Sequence, residues 1–273
     1  MTTPASDAGA TNAYWGRRDL QRAIDAALAG IGKNLNALTI DDLAPVDQFH
    51  GGGKVSTDRL ARLAKLAAGS RVLDVGGGFG GPARTLAVEH GCLVTVLDLT
   101  ESYVETGQWL TTRLGLGDRV RHRVGDALAL DVESGSFDAV WTQNSGMNIA
   151  DKERLYAGFA RVLRRGGLLV IQEPMAGPTQ PPIFPLMWAR DASASFLRPP
   201  AEMRALIEAA GFRVRDWEDV TAELAGPSTG GAVPAHGIAR IVTGDAVDEI
   251  SRAGQRNREE GRIVNIQAAF ERV

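Results

Sequence analysis

Residues 71–84 read RVLDVGGGFGGPAR, a short apolar run that ends in an aspartate and then in glycines. Val72, Leu73 and Val75 carry the branched and apolar side chains of a buried parallel strand. Gly76, Gly77, Gly78, Gly80 and Gly81 let the chain turn sharply and bring its backbone close to a ligand. Pro82 suits the first turn of a helix, where its missing N–H costs nothing. Strand, glycine loop and helix start, in that order, point free N–H groups and a positive dipole end at an anion or a polar nucleotide. The stretch is a nucleotide-cofactor loop.

Two glycine spacings fit it. Gly76, Gly78 and Gly81 give the G-x-G-x-x-G of dinucleotide enzymes, with Asp98 about twenty residues further on, where it can hold a ribose diol. Gly76, Gly78 and Gly80 give G-x-G-x-G, with Asp74 two positions ahead. The second arrangement resembles the class I S-adenosylmethionine (SAM) methyltransferases, and the resemblance extends well beyond the loop. VTVLD ending in Asp98 is similar to that family's second strand and its ribose-binding acid. GDAL at residues 125–128 is similar to the third-strand exit, whose acid, here Asp126, reads the adenine amine. FDAVWTQNSGMNI (137–149), LYAGFARVLRRGGLLVIQE (155–173) and GRIVNIQAAFERV (261–273) match, in order, the fourth strand, the helix with the fifth strand, and the last strand. The resemblance covers residues 60–173 and the C-terminus. Through DQFHGGG (47–53) and GMNIADK (146–152) it is most similar to the small-molecule group that includes the sarcosine/dimethylglycine N-methyltransferases and the quinone and sugar methyltransferases.

This resemblance implies an α/β fold: a Rossmann-like, doubly wound, seven-stranded and mostly parallel sheet whose last strand is antiparallel. It implies SAM as the cofactor, held by Asp74, Gly76, Gly77, Gly78, Asp98, Leu99, Asp126, Ala127 and Gln143. It also implies methyl transfer to a small molecule of specialised metabolism. Asp74, GDAL and the strand-like C-terminus speak against the alternative of an NAD(P) oxidoreductase. A SAM-binding module or cyclase on the same fold stays open, because fold does not fix chemistry.

Composition narrows the classes further. The chain has 273 residues, 44% of them hydrophobic, enough for one large core. A net charge of −3 and only four lysines argue against a nucleic-acid or anionic-membrane surface, which needs clustered positive charge. Arg119, Arg121 and Arg123 alternate with Val120, His122 and Val124, the pattern of an edge strand protected by charge. One cysteine, Cys92, excludes an intrachain disulfide, and no apolar run has the length of a membrane span or the flanks of a signal peptide. The expectation is a soluble, cytoplasmic monomer or homodimer.

Taken in order, residues 1–55 form a tail and a helical lid segment, with an apolar helical stripe at Leu20, Ile24, Ala27, Leu28 and Ile31. A short helix near Asp41 is interrupted by Pro45, and Gly51, Gly52 and Gly53 follow Phe49 and His50 as mobile parts of a lid. Ser56 is expected to cap a helix running to about Ala68 and ended by Gly69. Residues 56–175 form the SAM-binding core, with strands near 72–75, 93–97, 120–124, 139–142 and 168–172. Residues 176–273 complete the same single domain. They include two insertions, 176–200 and 221–261, which the resemblance places over the substrate.

Methyl transfer is an in-line displacement in which the protein chiefly aligns and desolvates the partners. An amine with a free lone pair needs no strong base; an alcohol or an unactivated carbon does. Many sugar and quinone O-methyltransferases resembling this chain carry a His pair after the fourth strand, and Met147 and Asn148 stand there instead. Nitrogen is therefore the favoured acceptor, with oxygen or carbon of a phenol or natural product as the alternative. His50, Asn144 and Asn148 are the candidate catalytic residues. Phe49, Glu173, Trp188, Phe196 and His236 are the candidate acceptor contacts, Glu173 for a cationic amine and the aromatics for a cation–π wall. No metal cluster with ligand spacing is visible.

Overall fold

A computed structural model of the chain describes residues 19–225 and 237–273. The segment that opens on Arg71 forms β1 (Arg71–Val75), an interior strand of a seven-stranded sheet. Around it lie β2 (Leu93–Asp98), β3 (Val120–Val124), β4 (Phe137–Gln143), β5 (Leu163–Ala176), β6 (Phe212–Asp219) and β7 (Ile263–Arg272), in the order β3-β2-β1-β4-β5-β7-β6. β1 pairs in parallel with both β2 and β4, so the winding reverses between β1 and β4, and the crevice at the carboxyl ends of the strands opens there. β7 runs antiparallel to both β5 and β6.

Side chains of a strand alternate between faces, and β1 shows the consequence directly. Leu73 and Val75 enter one core, with Phe159, Ile207 and Phe270, under α6 (Lys152–Val162) and α7 (Pro200–Ala209). Val72 enters the other, with Leu60, Leu86 and Trp141, under α3 (Gly53–Ala64) and α4 (Gly81–Glu89). β3, the outer strand, turns Arg121 and Arg123 to solvent. A third cluster joins α1 (Leu20–Gly30) and α2 (Ile40–Asp47) to Phe79 of the glycine loop, to α5 (Glu101–Arg113) and to Ile238 of α8 (Ile238–Thr243). α9 (Val247–Glu259) then leads into β7.

Several local expectations are corrected. Pro45 lies inside α2 and does not interrupt it: the proline removes one N–H bond, to the Asp41 carbonyl, and the helix, started by a reciprocal Thr39–Asp42 capping box, runs only two residues further. Ser56 does not cap α3. Gly52, at φ +81°, starts that helix, and Ser56 sits buried one turn in. Gly52 is packed closely at the helix entry: a Cβ there would stand 2.5 Å from a Leu224 methyl. α3 also ends early, at Ala64, with Lys65 in the left-handed region at φ +51°.

Candidate active site

The carboxyl ends of β1, β2, β3 and β4 open into a cavity of about 1580 Å³. Its inner half is built by the glycine loop. Gly76, Gly78 and Gly80 have positive φ, and the Gly76 N–H donates to the Leu97 carbonyl at 2.7 Å, which ties the loop to the end of β2. A Cβ on Gly76 would run into the Ser145 side chain, and one on Gly77 would come within 2.5 Å of an Asp74 carboxyl oxygen, so the turn admits only glycine there. At Gly78 the same added atom meets nothing nearer than Tyr103 at 4.0 Å, so this stretch of loop backbone faces open space.

Three carboxylates edge that space. Asp98 accepts the N–H groups of Gly78 and Thr100, each at 2.9 Å; burial pushes its carboxyl up from the usual range while those N–H groups pull it back. Asp74 is buried, one of its oxygens has no partner within the protein, and burial together with the nearby Asp98 carboxylate raises its pKa to about 8. Asp126 accepts the Leu128 N–H at 2.8 Å from the turn after β3. Leu99, Ala127 and Gln143 also line this half. A partnerless buried carboxyl oxygen, a loop with no room for side chains and a second acid at the end of β2 fit a ligand with a ribose and a cationic tail. When bound there, SAM supplies an activated methyl on a sulfonium.

Between the two halves runs a polar row that sequence reasoning missed. Gln143, Gln172 and Gln267 stand side by side on β4, β5 and β7, in register. Gln143 and Gln267 donate to the Gln172 side-chain oxygen at 3.3 and 2.8 Å, and Ser56 Oγ donates to it at 2.5 Å. The Gln172 amide in turn donates to the Gly51 carbonyl at 2.9 Å and to Asn144 Oδ1 at 3.1 Å. This fixes the chain before α3 and holds Asn144, at φ +55°, over the end of β4. Each glutamine interrupts an apolar strand, a signal the sequence does carry; only the pairing register makes the three a row.

His50 belongs to this row. Its Nε2 lies 3.0 Å from both Gln48 Oε1 and Thr57 Oγ1, and its Nδ1 lies 3.2 Å from the Gly51 carbonyl and 3.5 Å from the Gln143 amide. Burial pulls its pKa down to about 4. His50 is therefore a neutral, well-held imidazole and a weak base. Gln143 likewise has its side-chain oxygen engaged by Trp141 Nε1 and Thr57 Oγ1.

The outer half of the cavity is roofed by residues 177–199 and by α8 and α9. Phe49, His50, Asn144, Asn148, Trp188 and Phe196 all line the cavity. Two other expectations change. The Asn148 amide donates to the carbonyls of Trp188 and Ala194, at 3.0 and 2.8 Å, so its side chain pins the roof. Glu173 does not face the cavity: it lies buried behind the 145–147 turn, accepts the Gly146 N–H at 2.9 Å, and has Lys152 nearby. Burial raises its pKa, and Tyr156 and Met203 share its small void. His236 lies outside the described residues. A buried ion pair ties the N-terminal helices to the helix after the glycine loop: Arg84, one turn into α4, meets Asp47 at the end of α2 at 2.8 Å. Among the described residues no three His, Cys, Asp or Glu side chains are placed to hold a metal, and no helix is long and apolar enough to cross a membrane.

Residues 73–171 match the family model of the methyltransferase domain. The chain is 29% identical over 200 residues to methyltransferase GfsG of Streptomyces halstedii, covering 72% of each. It is 36% identical over 138 residues to the sarcosine/dimethylglycine N-methyltransferase of Halorhodospira halochloris, covering 50% of this chain and 48% of that one. The chain thus spans about half the length of that relative. The fold matches the geranyl diphosphate C-methyltransferase of Streptomyces coelicolor over the full length of both chains, with a TM-score of 0.73 at 20% identity. Residues 73–171 thus resemble a methyltransferase domain, and the strand order and glycine loop are those of the class I SAM-dependent methyltransferase fold, with SAM as the cofactor. The Halorhodospira relative is named for methyl transfer to sarcosine and dimethylglycine, both small molecules.

Proposed function

We propose that this chain methylates a nitrogen, an amine or a heteroaromatic ring atom, on a small molecule of specialised metabolism. The observation that carries this is the weakness of the base nearest the reacting region: His50 is held near pKa 4 with both ring nitrogens engaged by neighbours. Met147 and the roof-pinning Asn148 occupy the positions after β4, and Glu173 is turned away. An acceptor must therefore be nucleophilic as it binds. A neutral amine meets that requirement, and an apolar cavity favours its uncharged form over the ammonium. His50 and Asn144 then serve to orient the lone pair, while Asp74, Asp98 and Asp126 hold the cofactor. Exclusion of water and alignment supply most of the acceleration.

The test is mass-spectrometric assay with isotope-labelled SAM against paired acceptors of one skeleton, bearing a secondary amine, a phenol or an activated carbon. Label on nitrogen is expected. Label only on oxygen or carbon would overturn the nitrogen reading while leaving methyl transfer intact.

A further inference from the structure

We infer that the acceptor recognised here carries a large hydrocarbon body, held by apolar contact and not by ion pairing. The inference rests on the proposed methyl transfer only in taking the inner half of the cavity for the cofactor. A volume of about 1580 Å³ exceeds the range of about 300–1,000 Å³ that a single drug-sized ligand fills, so the cavity has room for the cofactor and a second molecule of drug size.

The chemistry of the outer wall decides what that molecule is. Met147, Leu186, Trp188, Phe196, Ile238 and Ile263 present hydrocarbon to it. The polar groups among them are turned into the protein. The Asn148 amide is held by two roof carbonyls, Trp188 Nε1 donates to Ser195 Oγ at 3.1 Å, and Asn257 exchanges hydrogen bonds with the backbone of Ile183, both at 2.8 Å. Arg190 and Arg258, the cations that border the cavity, have interactions within the protein already. Glu173, the acid placed to pair with an ammonium in the sequence reading, stands behind the wall. Asp151, Glu153 and Asp191, the acids at this border, are engaged by the Arg154 N–H, by Arg198 and by Ser193, so a short zwitterion such as an N-methylated amino acid would lose its water on this wall and meet only charges already paired, a net loss of binding free energy. A long or polycyclic apolar body gains about fourfold in affinity for each methylene it buries.

The experiment measures binding, not turnover. The full chain loaded with S-adenosylhomocysteine is titrated calorimetrically with sarcosine, with N-methylbutylamine, N-methylhexylamine and N-methyloctylamine, and with the primary alcohols of the same lengths. Affinity is expected to rise about tenfold or more for each two carbons, in parallel for amines and alcohols, with sarcosine weakest. Phe196→Ala should flatten the rise about tenfold at the octyl probe without changing affinity for S-adenosylhomocysteine. A flat chain-length series, or sarcosine binding as tightly as the octyl amine, overturns the inference. A steep series for alcohols and amines alike, with label later found on oxygen, sustains this inference and defeats the nitrogen reading.

Discussion

The two halves of the cavity are built by opposite means. The inner half is backbone: glycines at positive φ, N–H groups and three acids fixed by the ends of adjacent strands, so little there can move without breaking the sheet. The outer half is side chains on long connections, whose polar groups are engaged with one another and whose exposed face is hydrocarbon. The first is suited to one ligand of fixed shape. The second can be respecified by a few substitutions without disturbing the sheet. The Halorhodospira and Streptomyces coelicolor proteins, named for sarcosine/dimethylglycine and for geranyl diphosphate, fit that division.

The largest effect is expected at the Arg84–Asp47 pair, which ties α2 to the helix behind the glycine loop. Both side chains are buried, and Asp47 has one oxygen and Arg84 its Nε without partners. Arg84→Met leaves the Asp47 charge uncompensated and should cost about 3–5 kcal/mol of stability. Urea unfolding of Arg84→Met, and of the double variant with Asp47→Leu, measures it. Recovery of most of the loss in the double variant is expected; an equal loss in both would mean that the pair does not hold the junction.

A smaller effect separates the halves by ligand. Asp98→Ala should weaken SAM binding by about 1–3 kcal/mol, since it removes a buried acceptor and frees the Gly78 and Thr100 N–H groups. Calorimetric titration gives the value. SAM and S-adenosylhomocysteine should raise the melting temperature of the native chain, and NADH should not.

His50→Ala tests the boundary. Its ring is held by Gln48, Thr57, Gly51 and Gln143, so its loss should lower the methylation rate by about ten- to a hundredfold while SAM affinity stays within a few fold. Full activity in this variant would remove His50 from the site. Loss of SAM binding would show that the two halves are one unit, against the division drawn above.

The smallest effect is a pH dependence. Asp74, with a pKa near 8, holds a proton in the free protein at neutral pH. A cationic ligand favours the carboxylate, so SAM binding should release a proton and tighten by up to about tenfold as pH rises from 7 to 8, levelling above. In the free chain the sign for stability is opposite. A carboxyl whose folded pKa lies above its unfolded value contributes stability that is present below about pH 4 and lost as pH rises through 8. SAM titration in buffers of different ionisation enthalpy detects the proton. No buffer dependence would mean that Asp74 is already ionised.

How much of this was legible in the chain depends on how local each feature is. RVLDVGGGFGGPAR, the acid at Asp98 and GDAL set the fold and the cofactor half from sequence alone, because a strand, a tight glycine turn and a helix start are local demands that few residue types satisfy. The sheet edge at Arg121 and Arg123 was legible for the same reason. Ser56 was misread because a Ser before an apolar stripe also suits a cap, and only packing against Leu224 and Gln172 shows that Gly52 starts the helix. Pro45 was misread because a proline ordinarily stops a helix, and here it stands two residues from the end of a short one, where it costs a single N–H bond. The glutamine row, the inward turn of Asn148 and the burial of Glu173 depend on strand register and on residues far apart in sequence, such as Gln172 and Gln267, 95 positions apart. Sequence determined the glycine loop and the acids around it, since backbone conformation is dictated residue by residue. The tertiary structure alone decided which way the acceptor wall faces, since a side chain's direction follows from partners that only the folded chain brings together.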